Sequence, residues 1–108
     1  MIHEYRKYVV MPGRMDALHE SFILYVLPLF ERHGIRPTHF WESVIGRTNE
    51  LHYILEWDNL AEREQRWAAF YEDPDWLSAL KTTRSPDNGG QIVYRVESEI
   101  WRTTSYSK

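Results

Sequence analysis

The chain has no cysteine. That removes disulfide frameworks, thiolate metal sites and cysteine nucleophiles together. Basic residues nowhere run beyond the pair Arg6-Lys7, and the net charge is −3. A nucleic-acid surface needs clustered Lys and Arg to displace counterions, so nucleic acid is not an expected partner. No apolar stretch approaches the ~20 residues of a membrane helix. The opening residues Met1-Ile2-His3-Glu4-Tyr5-Arg6 carry an acid and a base where a secretory leader would be apolar. A cytoplasmic protein without a membrane partner is the expectation. No GxSxG elbow, phosphate-binding glycine loop, dinucleotide fingerprint or HExxH pair occurs. No metal and no organic cofactor are therefore expected.

What is abundant is aromatic surface. Of 108 residues, 15% are aromatic, with 5 Trp and 7 Tyr. The length fits one domain with a single two-layer core. Trp and Tyr carry polar tips on large apolar bodies and suit pocket walls and subunit contacts. The plainer reading is a core that is simply rich in rings.

Ile2 to Val10 is rich in Tyr and Val and reads as a strand, closed by a turn at Pro12-Gly13. Leu18, Phe22, Tyr25, Val26, Leu29 and Phe30 trace one face of a helix over Met15–His33. Pro28 within it predicts a kink near residues 24–28, and Gly34 reads as its stop. Pro37–Ile45 and Glu50–Asp58 read as strands joined by a turn at Arg47-Thr48-Asn49, an antiparallel hairpin. Asn59 with Glu62 has capping-box spacing for a second helix buried through Leu60, Trp67, Phe70 and Tyr71. Asp73-Pro74 starts a short helix, and Gln91–Arg102 is a last strand.

The order is β-α-β-β-α-β with an extra short helix: an α+β, ferredoxin-like domain over residues 1–108. Its four-stranded antiparallel sheet carries helices on one face. A second copy of the chain is the simplest cover for the other face, so a homodimer is expected.

Ile2-x-Glu4-x-Arg6-x-Tyr8 with Pro12-Gly13 resembles the first strand of NIPSNAP family domains. Leu27-Pro28-Leu29-Phe30-Glu31-Arg32-His33-Gly34-Ile35, Phe40-Trp41, Asn49-Glu50-Leu51 and Leu60-Ala61-Glu62-Arg63 continue the likeness in order. Trp101-Arg102-Thr103 departs from it by lacking the family's proline. The resemblance implies a dimeric α+β barrel, the architecture of antibiotic-type monooxygenases and muconolactone isomerases, without implying a reaction.

Alternate strand residues share a face. Glu4, Arg6 and Tyr8 are therefore neighbours, and the resemblance assigns them to the barrel interior. There Arg6 would offset the desolvation of Glu4 and hold an anionic group. The plainer reading is a structural ion pair at the dimer seam. On the third strand Leu51, Tyr53, Leu55 and Trp57 should pack on the helices, turning His52 and Glu56 inward as a general base and its carboxylate. Alternatively His52 simply satisfies a hydrogen bond. His39 and Trp41 share a face of the second strand as further binding residues. Arg95, Glu97 and Glu99 read as exposed edge charges. The expected function is a homodimeric barrel binding a small aromatic or acidic molecule, with acid–base chemistry of isomerase, cyclase or monooxygenase type. The alternative is a non-catalytic binding or interaction module of the same fold.

Overall fold

The computed structural model describes residues 1–108. Strand β1 (Ile2–Val10) leads into α1 (Met15–Ser21), a π-helical turn (Phe22–Val26) and α2 (Leu27–His33). The chain continues through β2 (Arg36–Glu42), β3 (Glu50–Trp57), α3 (Leu60–Glu72), α4 (Pro74–Thr83), a short 3-10 turn (Pro86–Asn88) and β4 (Val93–Arg102). The strands form one sheet in the order β2-β3-β1-β4, with every pair antiparallel. This is the expected α+β, ferredoxin-like arrangement. The shortest dimension is 19 Å, room for one sheet and one helical layer.

From Leu51 onward β3 alternates between buried and half-buried positions. Leu51, Tyr53, Leu55 and Trp57 turn into the helical layer, where they meet Phe22, Phe30 and Trp67. The first helix ends as expected at Gly34, whose φ of 69° is left-handed. A side chain there would also collide with the Arg66 guanidinium, which caps the His33 carbonyl at 3.0 Å.

Three details differ from the expectation. Just before Pro28, within the span where a kink was expected, the helix widens by one residue, and the Leu27 N–H bonds to the Phe22 carbonyl. Pro28 has no N–H to give the preceding turn, so the wider turn just before it is a natural accommodation. β2 stops at Glu42 rather than Ile45. β3 begins only at Glu50, so Val44 and Ile45 find no partner strand and project outward. On α3, Trp67 and Phe70 are buried as expected, but Leu60 and Tyr71 stay exposed.

Asn59 caps α3 as expected, and only the reciprocal bond to the Glu62 carboxylate is displaced by one residue. Asn59 Oδ1 accepts from the Glu62 N–H at 2.8 Å, while the Glu62 carboxylate accepts from the Asp58 N–H at 2.9 Å. Replacing Asn59 by Ala is expected to cost about 1 kcal/mol of stability, read as a lower urea midpoint with an unchanged slope. A variant as stable as the unmodified chain would show that the cap contributes nothing.

One assignment needs correction. Glu4, Arg6 and Tyr8 do not face the sheet's open side; they point into the helical layer. Glu4 is fully buried, and Arg6 pairs with Tyr53 and lies 4.5 Å from the Trp67 ring. Register decides this. Glu4, Arg6 and Tyr8 stand opposite Leu55, Tyr53 and Leu51, the residues of β3 that pack on the helices. Directly paired residues share a face. His3, Tyr5 and Lys7 take the other side, with His52, Ile54 and Glu56.

Candidate functional site

Glu4 is the anchor beneath the site. Its carboxylate accepts hydrogen bonds from the indole N–H of Trp57 and of Trp67, each at 3.0 Å. Arg63 of α3 reaches it with Nε at 2.9 Å and Nη2 at 3.1 Å. Arg6 Nη1 stands at 3.2 Å. Burial favours the neutral acid. The hydrogen bonds from Arg63 and Trp67 and the charges of Arg6 and Arg63 outweigh it and hold the carboxyl at about 2. The buried carboxylate is thus ionised and fully partnered.

Arg6 carries this cluster outward. Its Nε donates to the Tyr53 hydroxyl at 2.7 Å, and its Nη1 donates to Ser98 Oγ at 3.0 Å. Its Nη2 reaches the Tyr8 hydroxyl at 3.5 Å, and the two phenols stand 3.0 Å apart. Burial raises the pKa of Tyr53, and the Arg6 charge only partly opposes this. The three groups form one hydrogen-bonded cluster that includes Tyr8.

Above Arg6 and Tyr8, between sheet and helices, lies a cavity of about 170 Å³. Phe22, Phe30, Trp67, Phe70, Tyr71 and Trp76 supply its aromatic wall. Arg6, Tyr8, Ser21 and Arg84 supply the polar groups. Ser21 closes α1, and Phe22 and Val26 bound the π-helical turn. The widened turn therefore forms part of the wall, a recurring use of such bulges at functional sites.

The other expected residues lie across the sheet. On the open face the Tyr5 hydroxyl hydrogen-bonds His52 Nδ1. His52 Nε2 lies 3.1 Å from a Glu50 oxygen and 3.2 Å from Ser43 Oγ. The carboxylate beside His52 is therefore Glu50, where Glu56 was expected; Glu56 lies further along β3, opposite His3 and Arg36. His39 and Trp41 stack on each other with centroids 5.4 Å apart at the exposed β2 edge. Tyr5 stacks on Trp101 at 4.8 Å. Arg95 and Glu97 pair at 3.1 Å on this face, with Lys7 at 3.3 Å from Glu97. The sheet thus separates Arg6, Glu4 and Tyr8 from His52, Glu56, His39 and Trp41. No cluster of three metal-ligating side chains occurs, and no helix is long and apolar enough to cross a membrane.

The NIPSNAP family model matches residues 3–108, nearly the whole chain. The chain belongs to the NIPSNAP family. No curated protein matches it. Among solved structures, it is similar to a NIPSNAP family protein of unknown function from Agrobacterium tumefaciens. The two are 25% identical over 99% of this chain and 91% of that one, with a TM-score of 0.85. A NIPSNAP-like domain protein from Burkholderia xenovorans is 20% identical over 99% of this chain and 88% of its own, with a TM-score of 0.85. The fold also extends to a candidate antibiotic biosynthesis monooxygenase from Nitrosomonas europaea. That protein is 12% identical over 95% of this chain and 98% of its own, with a TM-score of 0.62.

In this NIPSNAP protein, two polar residues of the cavity wall escape a reading of the sequence. Ser21 left a trace, a hydroxyl set among Leu18, Phe22 and Tyr25 on an otherwise apolar helical face. Arg84 left none. It follows the last residue of α4, and only the packing of that helix brings it to the cavity.

Proposed function

We propose that this NIPSNAP protein binds a small aromatic molecule in the cavity between its sheet and helices, and that two copies join through their open sheet faces. The observation that carries the reading is a ring-walled hollow whose lining also includes Arg6, Tyr8, Ser21 and Arg84. At about 170 Å³ it falls below the ~300–1,000 Å³ of typical small-molecule sites. It still exceeds the ~150 Å³ that suffices for benzene in an apolar protein interior. One ring is the matching size.

The wall also supports acid–base chemistry. Tyr8 can give a proton or hydrogen bond to a substrate oxygen, with Tyr53 and Arg6 behind it to stabilise the charge that develops. His52 and Glu56 lie across the sheet from this cavity, on the face proposed as the subunit seam.

Phenol, followed by methyl NMR, tests the reading. Saturable shifts are expected at Leu18, Val26 and Val93, which line the cavity. Replacing Val93 by Phe should fill the space and weaken binding more than tenfold, roughly the value of one buried ring lost from the site. Shifts confined to other methyls, or phenol binding undiminished by Val93→Phe in a folded variant, would place the ligand elsewhere.

A further inference from the structure

We infer that the ligand of this cavity is a single-ring aromatic anion, with Arg84 and the Ser21 hydroxyl recognising its acid group. The inference rests on the cavity reading above and adds the chemical class of the ligand.

The charge balance of the wall points to an anion. Two guanidinium groups border the cavity, and no carboxylate does. Arg6 is already matched by Glu4 at 3.2 Å. Arg84 is not matched. None of the chain's ion pairs includes it, and its one side-chain hydrogen bond is to Thr83 Oγ1 at 2.8 Å. Its guanidinium lies 5.8 Å from the Trp76 ring centroid. A guanidinium stays charged in proteins, so a half-buried one without a counter-charge favours an arriving anion. Burial lowers its pKa, which Tyr8 partly opposes and the neighbouring Arg14 charge reinforces. The charge of an anion at this position would offset the cost of that burial.

Ser21 is the second, independent observation. It is 2% exposed, and its Oγ is the one buried side-chain polar atom in the chain without a hydrogen-bond partner. Buried hydroxyls are normally satisfied, and an exception in a cavity wall calls for an acceptor. Ser21 also borders a neighbouring hollow of about 360 Å³, where Arg14 and Glu20 both line the wall, so the bias toward anions belongs to the ring-walled cavity alone.

Size and wall chemistry set the rest of the ligand. A volume of about 170 Å³ leaves room for one ring bearing a small acid group. The chain as a whole carries a net charge of −3, so this cationic patch runs against the overall charge. Its preference for anions is local to the cavity.

The experiment compares benzoate with benzamide, which have nearly the same shape and differ in charge, by titration calorimetry and by the methyl shifts of Leu18, Val26 and Val93. Benzoate is expected to bind at least about tenfold tighter, as a charge-assisted hydrogen bond would provide. Arg84→Met should bring the two affinities together by weakening benzoate, with benzamide changed less than about threefold. Arg84→Lys should restore part of the preference. Ser21→Ala should weaken benzoate by roughly three- to tenfold, the range for one hydrogen bond. Equal affinities in the unmodified protein, or a preference that survives Arg84→Met, would overturn the anion assignment while leaving the cavity reading intact. If benzoate, benzamide and phenol all fail to move the lining methyls, the cavity reading falls and this inference with it. Should Arg84→Met not fold, the benzoate-to-benzamide ratio in the unmodified chain and in Arg84→Lys decides the question.

Discussion

Replacing Glu4 by Leu is expected to destabilise the protein by about 3–5 kcal/mol, the range for breaking a buried ion pair from one side. That is a large share of the ~5–15 kcal/mol that holds a typical domain together. The reason is the number of groups that depend on one carboxylate. Two indole N–H groups, the Arg63 guanidinium and Arg6 all direct hydrogen bonds at Glu4. Leucine would leave Arg6 charged and buried, with the donors of Trp57 and Trp67 unmatched. Glu4→Gln keeps the shape and an acceptor oxygen but loses the charge, and a smaller loss of roughly 1.5–3 kcal/mol is expected. Urea unfolding at neutral pH measures both. A Glu4→Leu variant as stable as the unmodified chain would mean that the cluster contributes nothing net to stability.

Acid titration gives the same prediction a second arm. The folded state holds Glu4 at about 2, against an ordinary value of 4.5. A depressed carboxylate stabilises the fold fully above its unfolded value, and that stabilisation fades as the pH falls toward the folded one. Between pH 4.5 and pH 2 the unmodified chain should therefore lose about 3 kcal/mol through this group. Glu62 and Asp73 are also held at about 2, Glu62 chiefly by Arg36 and Asp73 chiefly by His33. They contribute in the same window. The difference between the unmodified chain and Glu4→Gln isolates the buried group: the variant's stability should fall less steeply across that range. Parallel curves would show that Glu4 is not held in its charged form by the fold.

Trp101→Glu is expected to separate the proposed homodimer into monomers at micromolar concentration. Trp101 lies on the open face, 45% exposed, and stacks on Tyr5. Trp41, 48% exposed, borders the same face on the far edge strand. Large rings left half-uncovered at two edges of a sheet are the residue type that dominates subunit contacts. On β4 the new carboxylate would join Glu97 and Glu99 on one face. Loss of one such anchor corresponds to about 2 kcal/mol or more, roughly a thirtyfold weaker association. Sedimentation equilibrium reads the result. If the unmodified chain sediments as a monomer, or the variant remains as dimeric, the open face is not the seam. Phenol binding should be unchanged in the variant, because its cavity lies on the other side of the sheet.

Most of the fold was legible because it depends on local pattern. Leu51, Tyr53, Leu55 and Trp57 alternate without a break, and that alternation fixes which side of β3 meets the helices. Gly34 and the Asn59–Glu62 pair mark helix ends through backbone chemistry that needs no tertiary context. The end of β2 was not legible in the same way. Val44 and Ile45 look like strand residues, but a strand residue needs a partner, and none is available until Glu50.

The candidate site divides along the same line. By itself the sequence determined that Glu4, Arg6 and Tyr8 share one face and that His52 and Glu56 share another, because side chains alternate along a strand. Which of those faces points at the helices is a matter of register between β1 and β3, and register is a pairing between distant segments. Both faces of β1 carry charge, so hydrophobicity could not choose between them. The tertiary structure chose by supplying Glu4 with partners from β3 and α3. A buried carboxylate is tolerable only where such donors converge, and Trp57, Arg63 and Trp67 are brought together nowhere but in the folded chain.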